Sequence, residues 1–316
     1  MGQIENDKKS TSLVERAVSR LESATDESAL ALTQDRNPIE DVEQVDLNQD
    51  QDTQPESERE SRAAKIDYSY LRSTGGLGAN GSITRTIEEF RLIKRSVFLT
   101  AANRRQDGIK NSNLIMVTSS RESEGKTFVS LNLAMSIAAE RDSTALLIDA
   151  DLNNPSIPSR LGIRSERGLI DVLEDESIDL AEVLIRTDAD GLSVLPSGRR
   201  HRLSSELFSS ARMSLLLAEI SERYSDRMVI LDAPPVLATS EAATLAMHVG
   251  QILLVVEAGK TTRSAIKESL NLISICPNVG FVLNKAPFQF GATRFGSYYK
   301  YYRKSYYKKY RRSDGI

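Results

Sequence analysis

The chain has 316 residues, 40% of them apolar and 27% charged, enough for one large core with flanking segments. Its net charge of −3 hides opposite ends: residues 1–60 carry sixteen acidic against six basic side chains, and residues 294–316 carry eight basic against one acidic, so partners that read charge are expected at the tails. The single cysteine, Cys276, excludes an intramolecular disulfide, and no run approaches the ~18 apolar residues of a membrane-spanning helix.

In chain order, residues 1–81 read as an acidic, mostly disordered segment with too little apolar surface to fold alone. Leu13, Val14, Ala17, Val18 and Leu21 predict one short helix near 12–22, and the glycine-rich run 75–81 reads as a hinge. The polar, acidic start has no signal-peptide pattern, so a cytoplasmic chain is expected. A folded domain is expected over 82–293, opening with a helix near Ser82 that carries Ile87, Phe90 and Ile93. Apolar runs then fall at 114–117, 146–148, 192–195, 228–231, 252–256 and 280–283, with helical patterns over 127–140, 204–223 and 262–274. Continuous apolar runs separated by helices predict an α/β fold: a mostly parallel sheet with helices on both faces and phosphate sites at the carboxyl ends of its strands. Cys276 lies in an apolar stretch and reads as a small buried hydrophobe. The tail, 294–316, holds seven of the ten tyrosines, Tyr298, Tyr299, Tyr301, Tyr302, Tyr306, Tyr307 and Tyr310, interleaved with Lys and Arg. That composition buries no core of its own.

The chemistry begins at Ser119-Ser120-Arg121-Glu122-Ser123-Glu124-Gly125-Lys126-Thr127. This run follows the first apolar strand of the domain and opens a helix, the context that a Walker A loop requires. Backbone amides of such a loop and the helix N-terminus face phosphates, Lys126 neutralises β/γ oxygens, and the Thr127 hydroxyl reaches Mg²⁺. Ser123, Glu124, Gly125 and Phe128, with Asn284 from a later strand end, are the other expected nucleotide contacts. Ser120 stands where the usual pattern has its first glycine. Two further strand ends carry carboxylates: Asp149-Ala150-Asp151, and Asp232-Ala233-Pro234-Pro235. Any one of these aspartates could merely cap a strand. All three elements in this order favour a nucleotide site, and hard carboxylate oxygens suit Mg²⁺ through its waters.

Together these elements resemble the bacterial tyrosine kinases of polysaccharide export, P-loop NTPases with a Walker A loop, a DxD motif called Walker A′ and a Walker B ending in DxPP. Glu88, Arg91 and Lys94 fall at the charged positions of that family's ExxRxxR helix, which mediates ring-like self-association; an ordinary solvated helix face is the plainer alternative. Segments 195–198, 235–238 and 282–284 also look like family segments, and 12–18, 249–252 and 257–262 are similar to the autokinases of exosortase-type exopolysaccharide loci. Four positions depart from the family pattern: Glu122-Ser123 replaces Pro-Gly, Asn153 replaces an arginine two residues after the DxD motif, and Lys94 replaces the last arginine of ExxRxxR. These put turnover in question more than the fold.

The resemblance implies an ATP- and Mg²⁺-dependent tyrosine autokinase that phosphorylates its C-terminal cluster in trans and regulates exopolysaccharide polymerisation or export. A phenol with a pKa near 10 gains from a base. The resemblance assigns that role to Asp149, and Mg²⁺ through water to Asp151 and Asp232, with the split between Asp149 and Asp151 left open. Each phosphate adds about −1.5 to −2 charges, so four would reverse the tail. The implied partners are copies of the same chain, a separate membrane polysaccharide co-polymerase that activates it at the cytoplasmic face of the inner membrane, and a phosphatase. Aromatic and basic residues could stack on nucleic acid, but the tail lacks a folded platform and no nucleic-acid partner is expected. Two other readings stay open: a partitioning- or division-type switch ATPase, disfavoured by the lack of a lysine before Lys126 in the loop, and a weakly catalytic nucleotide-binding adaptor.

Overall fold

The structure is a computed structural model that describes residues 62–73, 85–199 and 204–287. The amphipathic pattern near 12–22 and the tyrosine cluster lie outside these residues. The described strands are β1 (Arg62–Ala64), β2 (Leu114–Ser119), β3 (Thr144–Asp149), β4 (Ile185–Thr187), β5 (Leu192–Leu195), β6 (Arg227–Asp232), β7 (Gln251–Glu257) and β8 (Val279–Asn284). They form one sheet in the order β1-β4-β5-β3-β6-β2-β7-β8. Every pairing is parallel except that of β4 with β5.

Why these runs become buried strands is visible in their alternation. Leu114, Met116, Leu146, Ile148, Val229, Leu231, Ile252 and Leu254 belong to the core on one face. Their chain neighbours Ile115, Val117, Leu147, Ile230, Leu253 and Val255 belong to the core on the other. A strand apolar at every position has two faces to cover, so helices must pack on both. On the second face lie α2 (Arg85–Gln106), through Phe90 and Val97, and α3 (Lys126–Ala138), through Val129, Leu133 and Ile137. On the first lie α8 (Ala211–Arg223), through Met213, Leu217 and Ile220, and α9 (Glu241–Ala246), through Leu245. There too α10 (Arg263–Leu272) packs Ile266 and Leu270. Full burial of each such Leu or Ile contributes about 1.5–3 kcal/mol.

The register decides where the chemistry falls. Asp149 at the end of β3 is the direct partner of Asp232 at the end of β6, and Asp232 is in turn the partner of Val117 on β2, two residues before the loop begins. Two carboxylates 83 positions apart in sequence therefore stand side by side at the carboxyl edge.

The structure differs from expectation in several elements. Residues 62–73, within the segment expected to lack structure, form β1 and α1 (Tyr68–Ser73). Ile66 and Leu71 are buried in the domain's core, and Asp188 accepts from the Ile66 amide at 2.9 Å. So few apolar residues give no periodicity, yet they suffice to extend an existing edge. The helix expected over 204–223 is broken into α7 (Ser204–Phe208) and α8, because Ser210 caps α8 by accepting from the Met213 amide at 3.2 Å. The short helices α4 (Ile157–Leu161), α5 (Leu169–Glu174) and α6 (Leu180–Val183), with α9 and β4, were not anticipated and are too short to show a period. Cys276 is buried, as expected.

Candidate functional site: a phosphate loop with three buried aspartates

The loop between β2 and α3 ends at Gly125, whose φ of 101° lies in the left-handed region, and Lys126 is the first helical residue. Glycine is needed here twice over. A side chain is strained at that φ, and a Cβ would come within 2.0 Å of Asn284 Nδ2. Asn284 occupies that space because it donates to the Glu124 carbonyl at 2.9 Å. Ser123 also has positive φ, 63°, without being glycine, a conformation that costs an L-residue about 1–2 kcal/mol. Its carbonyl accepts from Lys285 Nζ at 2.7 Å, which ties the loop to the strand end at β8.

Glu124 is buried, and its two oxygens brace the loop: Oε2 accepts from the Arg121 amide at 3.0 Å and Oε1 from the Thr261 hydroxyl at 2.6 Å. It was expected among the nucleotide contacts but does not line the cleft. Ser123, Gly125, Lys126, Thr127, Phe128 and Asn284 do. The cleft has a volume of about 640 Å³. Phe128 stands edge-on to Phe90 of α2, ring centroids 5.8 Å apart.

Lys126 Nζ lies 2.7 Å from Asp151 and 3.8 Å from Asp232, and all three residues are buried. Burial works to lower the lysine pKa, but the Asp232 and Asp151 carboxylates overcome it and hold the ammonium above the ordinary lysine value. Asp232 Oδ1 accepts from the Ser130 hydroxyl at 3.0 Å. Burial pushes its pKa upward against Lys126, Thr127 and Ser130, which favour the charge. Asp149 Oδ2 accepts from the amides of Ser156 and Ile157, each at 3.0 Å. Burial and the adjacent Asp232 raise its pKa from 3.8 to about 7.

Asp149 Oδ1 and Asp232 Oδ2 are buried with no hydrogen-bond partner among the described residues. Unsatisfied carboxylate oxygens beside a lysine and a threonine hydroxyl fit a hydrated Mg²⁺, which keeps most of its waters and needs few protein ligands. Among the described residues no group of three or more His, Cys, Asp or Glu is arranged to hold a metal ion by itself. Asp151 lines the cleft, whereas Asp149 and Asp232 are fully buried and outside its lining.

Glu88 and Arg91 pair with each other on α2. Lys94 turns inward: it is buried, donates to the Ser136 carbonyl at 2.9 Å and pairs with Glu140 at 2.6 Å. Sequence reasoning missed Arg160 and Lys285, both of which line the cleft. Lys285 directly follows Asn284, which could have marked it. Arg160 sits in a five-residue helix with no motif around it, and nothing in the sequence signals it.

The AAA domain family model AAA_31 matches residues 112–277, just over half of the chain. The tyrosine-protein kinase ptk of Acinetobacter johnsonii is 30% identical over 211 residues, 66% of this chain, but the chain spans only 27% of ptk. The tyrosine-protein kinase YwqD of Bacillus subtilis is 27% identical over 228 residues, 72% of this chain and 90% of YwqD. Among solved structures, the kinase domain of the Escherichia coli tyrosine kinase ETK is 28% identical with a TM-score of 0.55, over 65% of this chain and 79% of that one. These likenesses bear out the resemblance carried by the three motifs and the P-loop fold expected from them. With its loop lysine, DxD pair and DxPP aspartate gathered at one sheet edge, the chain belongs to the AAA domain family AAA_31 and is a homologue of the bacterial tyrosine kinases.

Proposed function

We propose that the cleft binds ATP with Mg²⁺ and that the protein transfers the γ-phosphoryl group to tyrosines of its own C-terminal cluster, Tyr298 to Tyr310, in a neighbouring copy. The observation that carries this reading is Lys126, held at 2.7 Å from Asp151 and 3.8 Å from Asp232. Likeness to proteins named as tyrosine kinases supports the choice of phosphoacceptor.

Phosphoryl transfer asks the protein chiefly for positioning and for compensation of charge. The loop amides and Lys126 would bind the phosphates, and Thr127, Asp151 and Asp232 would hold Mg²⁺, the last two through water, so that the metal would supply neutralisation of phosphate charge. Asp149 is enclosed, so a phenol reaches it only if the cleft floor opens, whereas Asp151 faces the cleft directly. Of the two, Asp151 is the one an incoming tyrosine can reach, and in that role it would leave Thr127 and Asp232 to hold Mg²⁺. Asp149, through its bonds to Ser156 and Ile157, holds the start of α4 in place.

Glu88 and Arg91 on α2 offer a charged patch for self-association, while Lys94 fastens that helix to the C-terminal end of α3. A separate membrane polysaccharide co-polymerase would bring the protein to the cytoplasmic face of the membrane, couple it to exopolysaccharide polymerisation or export, and leave a phosphatase to reset the tail.

The test is intact mass after incubation with ATP and Mg²⁺, for the wild-type chain, for Lys126→Met and for a chain ending at Thr293. One added phosphoryl group per modified tyrosine, absent from both variants, is the expected result. A wild-type chain that binds ATP, stays unmodified alone and stays unmodified with candidate membrane activators would overturn the kinase reading in favour of an adaptor or switch ATPase.

A further inference from the structure

Three cations among the described residues line the cleft: Lys126, Arg160 and Lys285. Two of them already have carboxylate partners, Lys126 with Asp151 at 2.7 Å and Lys285 with Glu257 at 3.2 Å. Arg160 has no ion pair among the described residues, and its Nε is buried with no hydrogen-bond partner. A guanidinium is always charged and presents a planar fork of donors that matches phosphate oxygens. Of the three lining cations, Arg160 is the one that no carboxylate among the described residues compensates, so its fork is available to an anionic ligand in the cleft.

The element carrying Arg160 is fixed in place. The amides of Ser156 and Ile157 donate to Asp149, at the end of β3, and the Arg160 amide donates to the Ser156 carbonyl at 3.0 Å. Arg160 thus lines the cleft from the element that follows β3, and the loop between β2 and α3, the expected seat of the phosphates, lines the same cleft. Position 153, also on the lining, is a neutral Asn and adds no charge there.

We propose that Arg160 binds the terminal phosphate of ATP in this cleft, and so discriminates ATP from ADP. The inference rests on the cleft being the nucleotide site and goes beyond the kinase reading, because it concerns binding and holds whether or not transfer follows.

The experiment titrates the full-length chain with a non-hydrolysable ATP analogue and, separately, with ADP, both with Mg²⁺. Arg160→Gln should weaken analogue binding by about tenfold or more, the scale of one hydrogen bond to a charged group, and leave ADP affinity within about twofold. Arg160→Lys, which keeps the charge but loses the fork, should fall between. Restoring a guanidinium nearby with Asn153→Arg in the Arg160→Gln background should recover part of the loss. Unchanged analogue affinity in Arg160→Gln, or equal losses for analogue and ADP there and in Arg160→Lys, would overturn the proposal. So would a wild-type chain that binds neither nucleotide. A wild-type chain that discriminates through Arg160 yet never phosphorylates tyrosine would sink only the kinase reading.

Discussion

The loop lysine is the natural inactivating substitution, and the structure predicts that removing it damages more than catalysis. In the nucleotide-free protein Lys126 neutralises two buried carboxylates, at 2.7 and 3.8 Å, with Asp149 close behind. Lys126→Met leaves that cluster uncompensated, and breaking a buried pair from one side costs about 3–5 kcal/mol. Urea unfolding at neutral pH with a chelator present measures the loss directly. Removing one charge as well, in Lys126→Met/Asp151→Asn, should return roughly half of it, because the two substitutions share one electrostatic site. The deficit should also shrink as pH falls, because burial already raises the Asp232 pKa and protonation there removes an uncompensated charge. A Lys126→Met midpoint equal to that of the wild type, or no recovery from Asp151→Asn, would refute the view that this lysine holds the cluster together. The practical consequence is that lost phosphorylation in a lysine variant counts as catalytic evidence only at a temperature where the variant is folded.

Gly125→Ala combines a φ of 101° with a Cβ 2.0 Å from Asn284 Nδ2. It should cost at least about 2 kcal/mol and weaken nucleotide binding, read by unfolding and titration together; an unaffected variant would mean that the loop is not as tight as its geometry. Glu124→Gln turns an acceptor of two donors into a group that must present its own N–H to one of them. A loss of about 1–3 kcal/mol in urea unfolding is expected, and a neutral result would remove Glu124 as the brace. For Asp149, a folded pKa of about 7 against 3.8 means that the native state keeps a proton the unfolded chain has lost. Stability should therefore be complete below pH ~4 and fall by about 4 kcal/mol as pH rises through 7. Asp149→Asn should flatten that slope in chelated protein, and parallel pH profiles for variant and wild type would contradict the assignment.

The sheet was legible because strands 114–117, 146–148, 228–231 and 252–256 are apolar at every position, a pattern that only two-sided burial explains. The loop was legible because its glycine, lysine and threonine obey local geometry at fixed spacing. Short elements were not: α4, α5, α6 and the edge pieces β1 and α1 are stabilised by long-range contacts such as Ile66 with Asp188, and no local pattern records a contact across 122 positions. For the same reason the resemblance could propose Lys94 for self-association, while tertiary packing turned it inward onto Ser136 and Glu140.

What the sequence by itself determined is the chemistry available: a phosphate loop, three strand-end aspartates and a tyrosine-rich tail. Tertiary structure alone decided which of these meet. Strand order put Asp232 beside Asp149 and Lys126 against Asp151, left Asp151 at the cleft with Asp149 enclosed, and brought to the same cavity an Arg160 with no ion pair among the described residues. The physical reason is that charge, exposure and hydrogen-bond satisfaction are properties of neighbours in space, and a parallel sheet chooses those neighbours from residues far apart in the chain.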